Sequence, residues 1–205
     1  MLYTQTVEPH TLGLLNRLMA DEALHQFNLV GGTALSLQIG HRTSVDLDMF
    51  TQSDFEAAHL LEHLSEAGYR PAIKHQYKQT LIVEIEGIKV DFIRFRYPFA
   101  HAVQVIEGIR LAHIQDIACM KIDAIIGRGK KKDFCDLYFL LQQYPLTDIM
   151  NWYQSMFQQS TLFHAYKSLT WFEDAELDAE LDVFDKKFSW EKAKKTIIKA
   201  VEKAI

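Results

Sequence analysis

Apolar positions along the chain recur at two spacings. Leu12, Leu15 and Met19 follow Pro9 at helical spacing. Proline suits a first helical position, because its missing N–H has no partner there anyway. This predicts a first helix over about residues 9–25. Residues 27–30 are a short apolar run that stops at Gly31-Gly32, a strand entering a tight turn. A short helix over residues 33–39 should follow, with Gly40 as its stop. Residues 45–50 alternate: Val45, Leu47 and Met49 face one way, and Asp46, Asp48 and Phe50 the other.

Ser53-Asp54-Phe55-Glu56 has the form of a capping box, and predicts a helix up to Ala67 with Gly68 beyond its end. Two β-rich runs, 80–85 and 88–95, meet at Glu86-Gly87, a hairpin signature. From Ile114 onward the spacing turns helical, with helices expected over 116–126, 133–143, 147–158 and 189–204. The pattern therefore predicts a mixed α/β part over residues 1–112 and a helical part over 113–205. No Pro/Gly-rich linker separates them.

Composition narrows the class. The 205 residues are 48% apolar and 24% charged, which excludes a chain too poor in apolar surface to fold. Two cysteines, Cys119 and Cys135, make no disulfide framework and fit a reducing compartment. The first ten residues carry no signal-peptide pattern, and no apolar stretch is long enough to span a bilayer. The expectation is a cytoplasmic protein without membrane contact. The net charge is −5, so any nucleic-acid contact must rest on a local basic patch.

Candidate chemistry begins with Asp46 and Asp48, which the strand period places on one face. Side by side, two carboxylates repel each other. Mg²⁺ relieves that repulsion and also takes phosphate oxygens. The alternative is a solvated face of an edge strand. Two residue types weigh towards metal: aspartate is a poor strand former, and Gly31-Gly32 opens a helix whose N–H groups suit phosphate. A third acid, Asp91, lies in the apolar run around residues 88–93. In the helical half, Lys121 falls within the apolar face formed by Ile117, Met120, Ala124 and Ile125. It must snorkel outward or find an anionic partner, such as a phosphate. Asp133 and Asp136 share a helix face, either as first-turn acids favoured by the helix dipole or as catalytic acids. Arg128 and Lys130–Lys132 form a small basic cluster, solvated or in contact with phosphate or RNA. The seven acids of residues 173–185 read as a solvated loop away from these motifs. Trp152, Trp171 and Trp190 read as packing residues.

Gly-Gly opening a helix, then Asp-x-Asp, then a later strand Asp resembles the DNA polymerase β-type nucleotidyltransferase superfamily. Gly31 to Leu35, Arg42 to Asp48, Lys121, and Arg128 to Leu137, taken together, resemble the AbiEii family of nucleotidyltransferase toxins. The resemblance spans roughly residues 29–142. It implies an α+β nucleotidyltransferase fold, with a mixed, largely antiparallel sheet flanked by helices and a helical lobe that completes the site. It implies Mg²⁺ (or Mn²⁺) at Asp46, Asp48 and Asp91. An NTP substrate would be held by Gly31, Gly32, Thr33, Arg42, Lys121, Arg128 and Lys132, with Asp133 or Asp136 as general base. It also implies transfer of an NMP to an acceptor hydroxyl, on RNA such as tRNA, in a type IV toxin–antitoxin or abortive-infection system with an antitoxin encoded nearby. The rivals are a small-molecule, antibiotic-modifying nucleotidyltransferase and a non-catalytic nucleotide-binding module.

Overall fold

The computed structural model describes residues 1–205. The chain divides into two compact units. The first comprises Met1–Gly40, Ser44–Pro98 and Ala102–Ala112. The second comprises His41–Thr43, Phe99–His101 and His113–Ile205.

The first unit contains α1 (Pro9–Ala20), β1 (Asn28–Val30), α2 (Gly31–Ile39), β2 (Leu47–Thr51), α3 (Ala57–Glu66), β3 (Ala72–Tyr77), β4 (Thr80–Ile85), β5 (Ile88–Arg94), β6 (Gln104–Ile106) and β7 (Ile109–Leu111). Its seven strands form one sheet in the order β3-β4-β5-β2-β1-β7-β6. Only the β2–β5 and β1–β7 pairs are parallel. A mixed, largely antiparallel sheet with helices is the fold the sequence leads one to expect. Register explains the core. Leu81, Val83 and Ile85 pair with Phe92, Val90 and Ile88; Val90 and Phe92 pair in turn with Leu47 and Met49. Leu29 links Met49 to Leu111. One sheet face is thus a continuous buried apolar surface, and Phe27 packs edge-on against Phe92 and Phe55, both at 5.1 Å. The opposite face carries Asp48, Lys89 and Asp91.

Several local expectations change. The first helix ends at Ala20, and a 3₁₀ turn over Glu22–Leu24 follows it. Gly31 and Gly32 belong to α2 itself, not to a turn before it. The strand carrying Asp48 starts at Leu47, so Asp46 lies just outside it. The capping box does not form: α3 has Glu56 at its N-cap without a side-chain bond. Asp54 accepts instead from Gln79, at 2.8 Å. The Glu86-Gly87 hairpin is as expected, with φ of 55° and 80° at its two turn residues.

The second unit is helical: α4 (Ile114–Arg128), α5 (Lys131–Leu140), α6 (Leu146–Met156), α7 (Leu162–Leu169), the single turn α8 (Glu173–Glu176) and α9 (Trp190–Ala204). Helix α4 packs against α5, α6 and α7, and α9 lies across the same three. α9 shows why a lysine-rich stretch folds. Ala193, Ile197 and Val201, four apart, are its buried stripe, and the Ser189 hydroxyl accepts from the Lys192 N–H at 3.2 Å. α5 is capped from far along the chain. Lys130 supplies no side-chain cap, and Asp178 accepts the Lys131 N–H at 2.8 Å.

Candidate active site

In the first unit the residues singled out by sequence lie where β5, β2 and β1 run side by side. Asp48 pairs in register with Val30 on one side and with Asp91 on the other, so the two acids share a sheet face. Gly31 follows Val30 and opens α2 with φ of +68°. A Cβ at Gly31 would lie 2.8 Å from the Asp48 Cγ and overlap the carboxylate. The missing side chain is therefore what lets the Asp48 carboxylate rest against the start of a helix, where backbone N–H groups carry partial positive charge.

Thr33 has a different part from the one expected of it. It is fully buried. Its hydroxyl donates to the Asp46 carbonyl and accepts from the Ser44 hydroxyl at 2.9 Å. It ties the first turn of α2 to the segment leading into β2, and so orients the Asp-x-Asp stretch instead of offering itself to a ligand. Gly32 is buried behind it in the same turn.

Asp91 is 8% exposed. Its Oδ2 accepts from Lys89 Nζ at 2.5 Å, while its Oδ1 is buried with no hydrogen-bond partner. Lys89 carried no signal in the sequence beyond strand alternation, which puts residues two apart on one face. Asp46 lines an open cleft with Glu84, Glu86 and Lys89. No three His, Cys, Asp or Glu side chains stand gathered as a ready metal cage. Chemically the residues nonetheless fit a hard cation. Carboxylate oxygen is the ligand Mg²⁺ prefers, and the unpartnered Asp91 Oδ1 is an acceptor lacking a donor.

The second unit holds a buried ionic network. Asp136 is fully buried. Its carboxylate takes the Arg42 guanidinium in bidentate fashion, Nε at 2.6 Å and Nη2 at 2.9 Å. It also takes Lys121 Nζ at 2.6 Å and His41 Nε2 at 2.7 Å. Asp133 is held by Lys121 at 3.2 Å and, bidentately, by Arg128 at 2.8 and 3.0 Å. Burial opposes ionisation of both acids, but the cations outweigh it. Asp136 titrates well below the ordinary carboxylate value, and Asp133 is lowered too. Burial also opposes the charged forms of Lys121 and Arg42, yet the two carboxylates raise both. His41 is lowered by burial, despite its bond to Asp136.

Lys121 thus neither snorkels nor stands open to phosphate: it is 4% exposed and points at two aspartates. Asp136, saturated with donors and strongly ionised, has the properties of a structural counter-ion, not of an accessible base. Sequence reasoning missed His41; its only signal was adjacency to Arg42. The basic cluster, which the sequence left open between a solvated loop and a phosphate or RNA contact, meets acids of the same chain. Lys130 pairs with Asp178 at 3.1 Å, and Lys131, nearly buried, reaches Glu180 at 3.1 Å and the Asp178 carbonyl at 2.9 Å. Asp182 accepts from the Thr43 hydroxyl at 2.5 Å. Part of the acidic run is therefore bonded to the motif residues and does not lie away from them. Lys132 lines a shallow cleft with Arg128 and Lys130.

The chain is a nucleotidyltransferase. More narrowly, it belongs to the AbiEii family, nucleotidyl transferase toxins of type IV toxin–antitoxin systems, whose model matches residues 13–111 and 104–203. An uncharacterized protein of Aquifex aeolicus (strain VF5) is 34% identical over 175 residues, covering 82% of this chain and 84% of that one. The fold is similar to that of JHP933 from Helicobacter pylori, with a TM-score of 0.57 and 21% identity over 97% of this chain and 93% of that one. It is also similar to MenT4, a nucleotidyltransferase toxin from Mycobacterium tuberculosis, with a TM-score of 0.59 and 13% identity over 98% and 88%. No helix is long and apolar enough to cross a membrane.

Proposed function

We propose that this chain transfers a nucleoside monophosphate from an NTP, bound with Mg²⁺ or Mn²⁺, to a hydroxyl of an RNA such as tRNA, and that a separate antitoxin protein restrains it in the cytoplasm. The observation that carries the reading is the register pairing of Asp48 with Asp91, with the Asp48 carboxylate seated on Gly31. Asp46, Asp48 and Asp91 would hold the cation, which when bound neutralises phosphate charge and draws electrons from the reacting phosphorus. The N–H groups of Gly31 and Gly32 bind the triphosphate at the start of α2. Thr33 keeps the Asp46 segment in place. The acceptor hydroxyl releases its proton to water, while Oδ1 of Asp91, which has no donor of its own, faces the cation. The acceptor oxygen bonds to the α-phosphorus, the bond from that phosphorus to the bridging oxygen breaks, and pyrophosphate leaves. Most of the rate gain comes from alignment and charge neutralisation. Arg42, Lys121, Asp133 and Asp136 serve this reading as an internal scaffold of the helical unit, Arg128 holds Asp133 from a half-exposed position, and Lys132 is an outer cation.

The test is incubation of the purified protein with each α-labelled NTP, Mg²⁺ and total tRNA. Label should enter RNA with the parent protein and not with Asp48→Asn. Label that enters RNA equally with Asp48→Asn would refute the acid assignment. Label that enters only small hydroxylated acceptors would refute the RNA assignment.

A further inference from the structure

The helical unit contains a cleft of about 230 Å³ between the end of α4 and the end of α7. Ile125, Gly127, Arg128, Lys167, Trp171 and Asp174 line it. Three features distinguish its walls. The first is Trp171. Trp190 packs on Phe134 and Phe172, and Trp152 on Tyr144, but Trp171 is 50% exposed and turned to the cleft. An indole left half in water presents a flat surface for stacking.

The second feature is the C-terminal end of α4. The last carbonyls of a helix have no partner within it and carry partial negative charge. At the end of α4 the Gly129 N–H answers those of Ala124 and Ile125, and the residues beyond them reach the cleft, where Asp174 adds a carboxylate. A phosphate is disfavoured there; an amino group is favoured. The third feature is Lys167 at the same cleft, together with Arg128, whose Nε and Nη2 hold Asp133. The volume is below the usual range for a drug-sized ligand and suits a fragment such as one base with its sugar.

We infer that this cleft takes a single unstacked, amino-bearing nucleobase of the RNA acceptor. The base stacks on Trp171, its exocyclic amine faces the α4 carbonyls and Asp174, and the flanking phosphates meet Lys167 and Arg128. This rests on the reading of an RNA acceptor and adds a base preference to it. Cytosine and uracil are the sharpest comparison, since they match in size and differ in an amino group against a carbonyl.

The experiment is fluorescence anisotropy with short end-labelled oligocytidylate and oligouridylate. It uses the full chain, Trp171→Ala, Trp171→Phe and Lys167→Ala, with thermal melts to show that each variant is folded. The parent should bind oligocytidylate more tightly than oligouridylate. Trp171→Ala should weaken oligocytidylate about tenfold, the scale of one base stacked on an aromatic ring, and erase the preference. Trp171→Phe should keep most of both. Lys167→Ala should weaken the two oligomers equally. No binding by the parent, no preference between the oligomers, or equal binding by Trp171→Ala would overturn the inference. Asp48-dependent labelling of tRNA, measured in parallel, separates the two failures. Labelling that persists while the cleft variants bind normally sinks the cleft alone. Absence of label in any RNA sinks the acceptor reading, and the cleft with it.

Discussion

Gly31 illustrates how much one residue decides. Its φ of +68° is costly for any residue with a Cβ, and a Cβ would collide with the Asp48 carboxylate. Gly31→Ala should therefore displace that carboxylate and lower the transfer rate by about 100-fold, the usual cost of misplacing a reacting group by an ångström. The strain should also cost roughly 1–3 kcal/mol of stability. Single-turnover kinetics and a urea melt read the two effects separately; a variant with parental transfer rate would show that the Asp48 position is not needed. The candidate acids stand out in the sequence, because the alternating run 45–50 joins Asp46 to Asp48 and an apolar run flags Asp91, although Asp46 lies just before the strand. The partners do not. Nothing local shows that Lys89 closes on Asp91, or that Thr33 turns inward to Ser44 and the Asp46 carbonyl. Those contacts depend on where β5 and the first turn of α2 meet the β2 segment.

At the scale of elements, Asp136 on α5 joins Lys121 on α4 to the His41–Thr43 segment. Asp136→Asn would leave Lys121 and Arg42 buried without their main counter-charge and should cost about 3–5 kcal/mol, measured by urea unfolding. Arg128→Ala should cost less, since its side chain is half exposed and Lys121 still holds Asp133. The sign of the pH dependence follows from the shifts. The folded Asp136 lies below its ordinary 3.8, so its contribution is complete above that value and fades as pH falls through the depressed one. The folded Lys121 lies above its ordinary 10.5, so its contribution is complete below that value and fades as pH rises through the raised one. Unfolding free energy across the pH range should show both shoulders, and Asp136→Asn should shrink the acid one to the part that Asp133 contributes.

The placement of Lys121 within an apolar face foretold a buried partner, and the 3-residue spacing put Asp133 and Asp136 together. The identity of that partner was not readable, since both a phosphate and two aspartates satisfy the same charge. The edge strand β3 was invisible for another reason. All six of its residues are exposed, so it lacks the alternation that marks a half-buried strand, and Lys74 and His75 serve to blunt an edge. The cap on α5 was equally hidden, with Asp178 nearly fifty positions away. Asp178→Ala should cost about 1 kcal/mol, as loss of an N-cap does. A thermal melt unchanged from the parent would show that the Lys131 N–H finds another acceptor.

For the molecule as a whole, the net charge of −5 says little until the pairs are known. Four of the chain's cations stand at the loop from Arg128 to Lys132, which on paper is an RNA-binding patch. They are engaged with acids: Arg128 holds Asp133, Lys130 holds Asp178, and Lys131 holds Glu180. An RNA that bound without breaking these pairs would release few counterions. For single strands each neutralised phosphate contributes about 0.7 to the slope of log affinity against log salt. Contacts confined to Lys167 and Arg128 therefore predict a shallow slope, roughly −1.4 for two phosphates. Titration of a labelled oligonucleotide at several salt concentrations measures it. A slope that reports about six phosphates would mean that the acidic run from Asp178 to Glu180 lets go of the basic loop when RNA arrives. In that event Asp178→Asn should tighten RNA binding; with a shallow slope it should leave RNA affinity nearly unchanged.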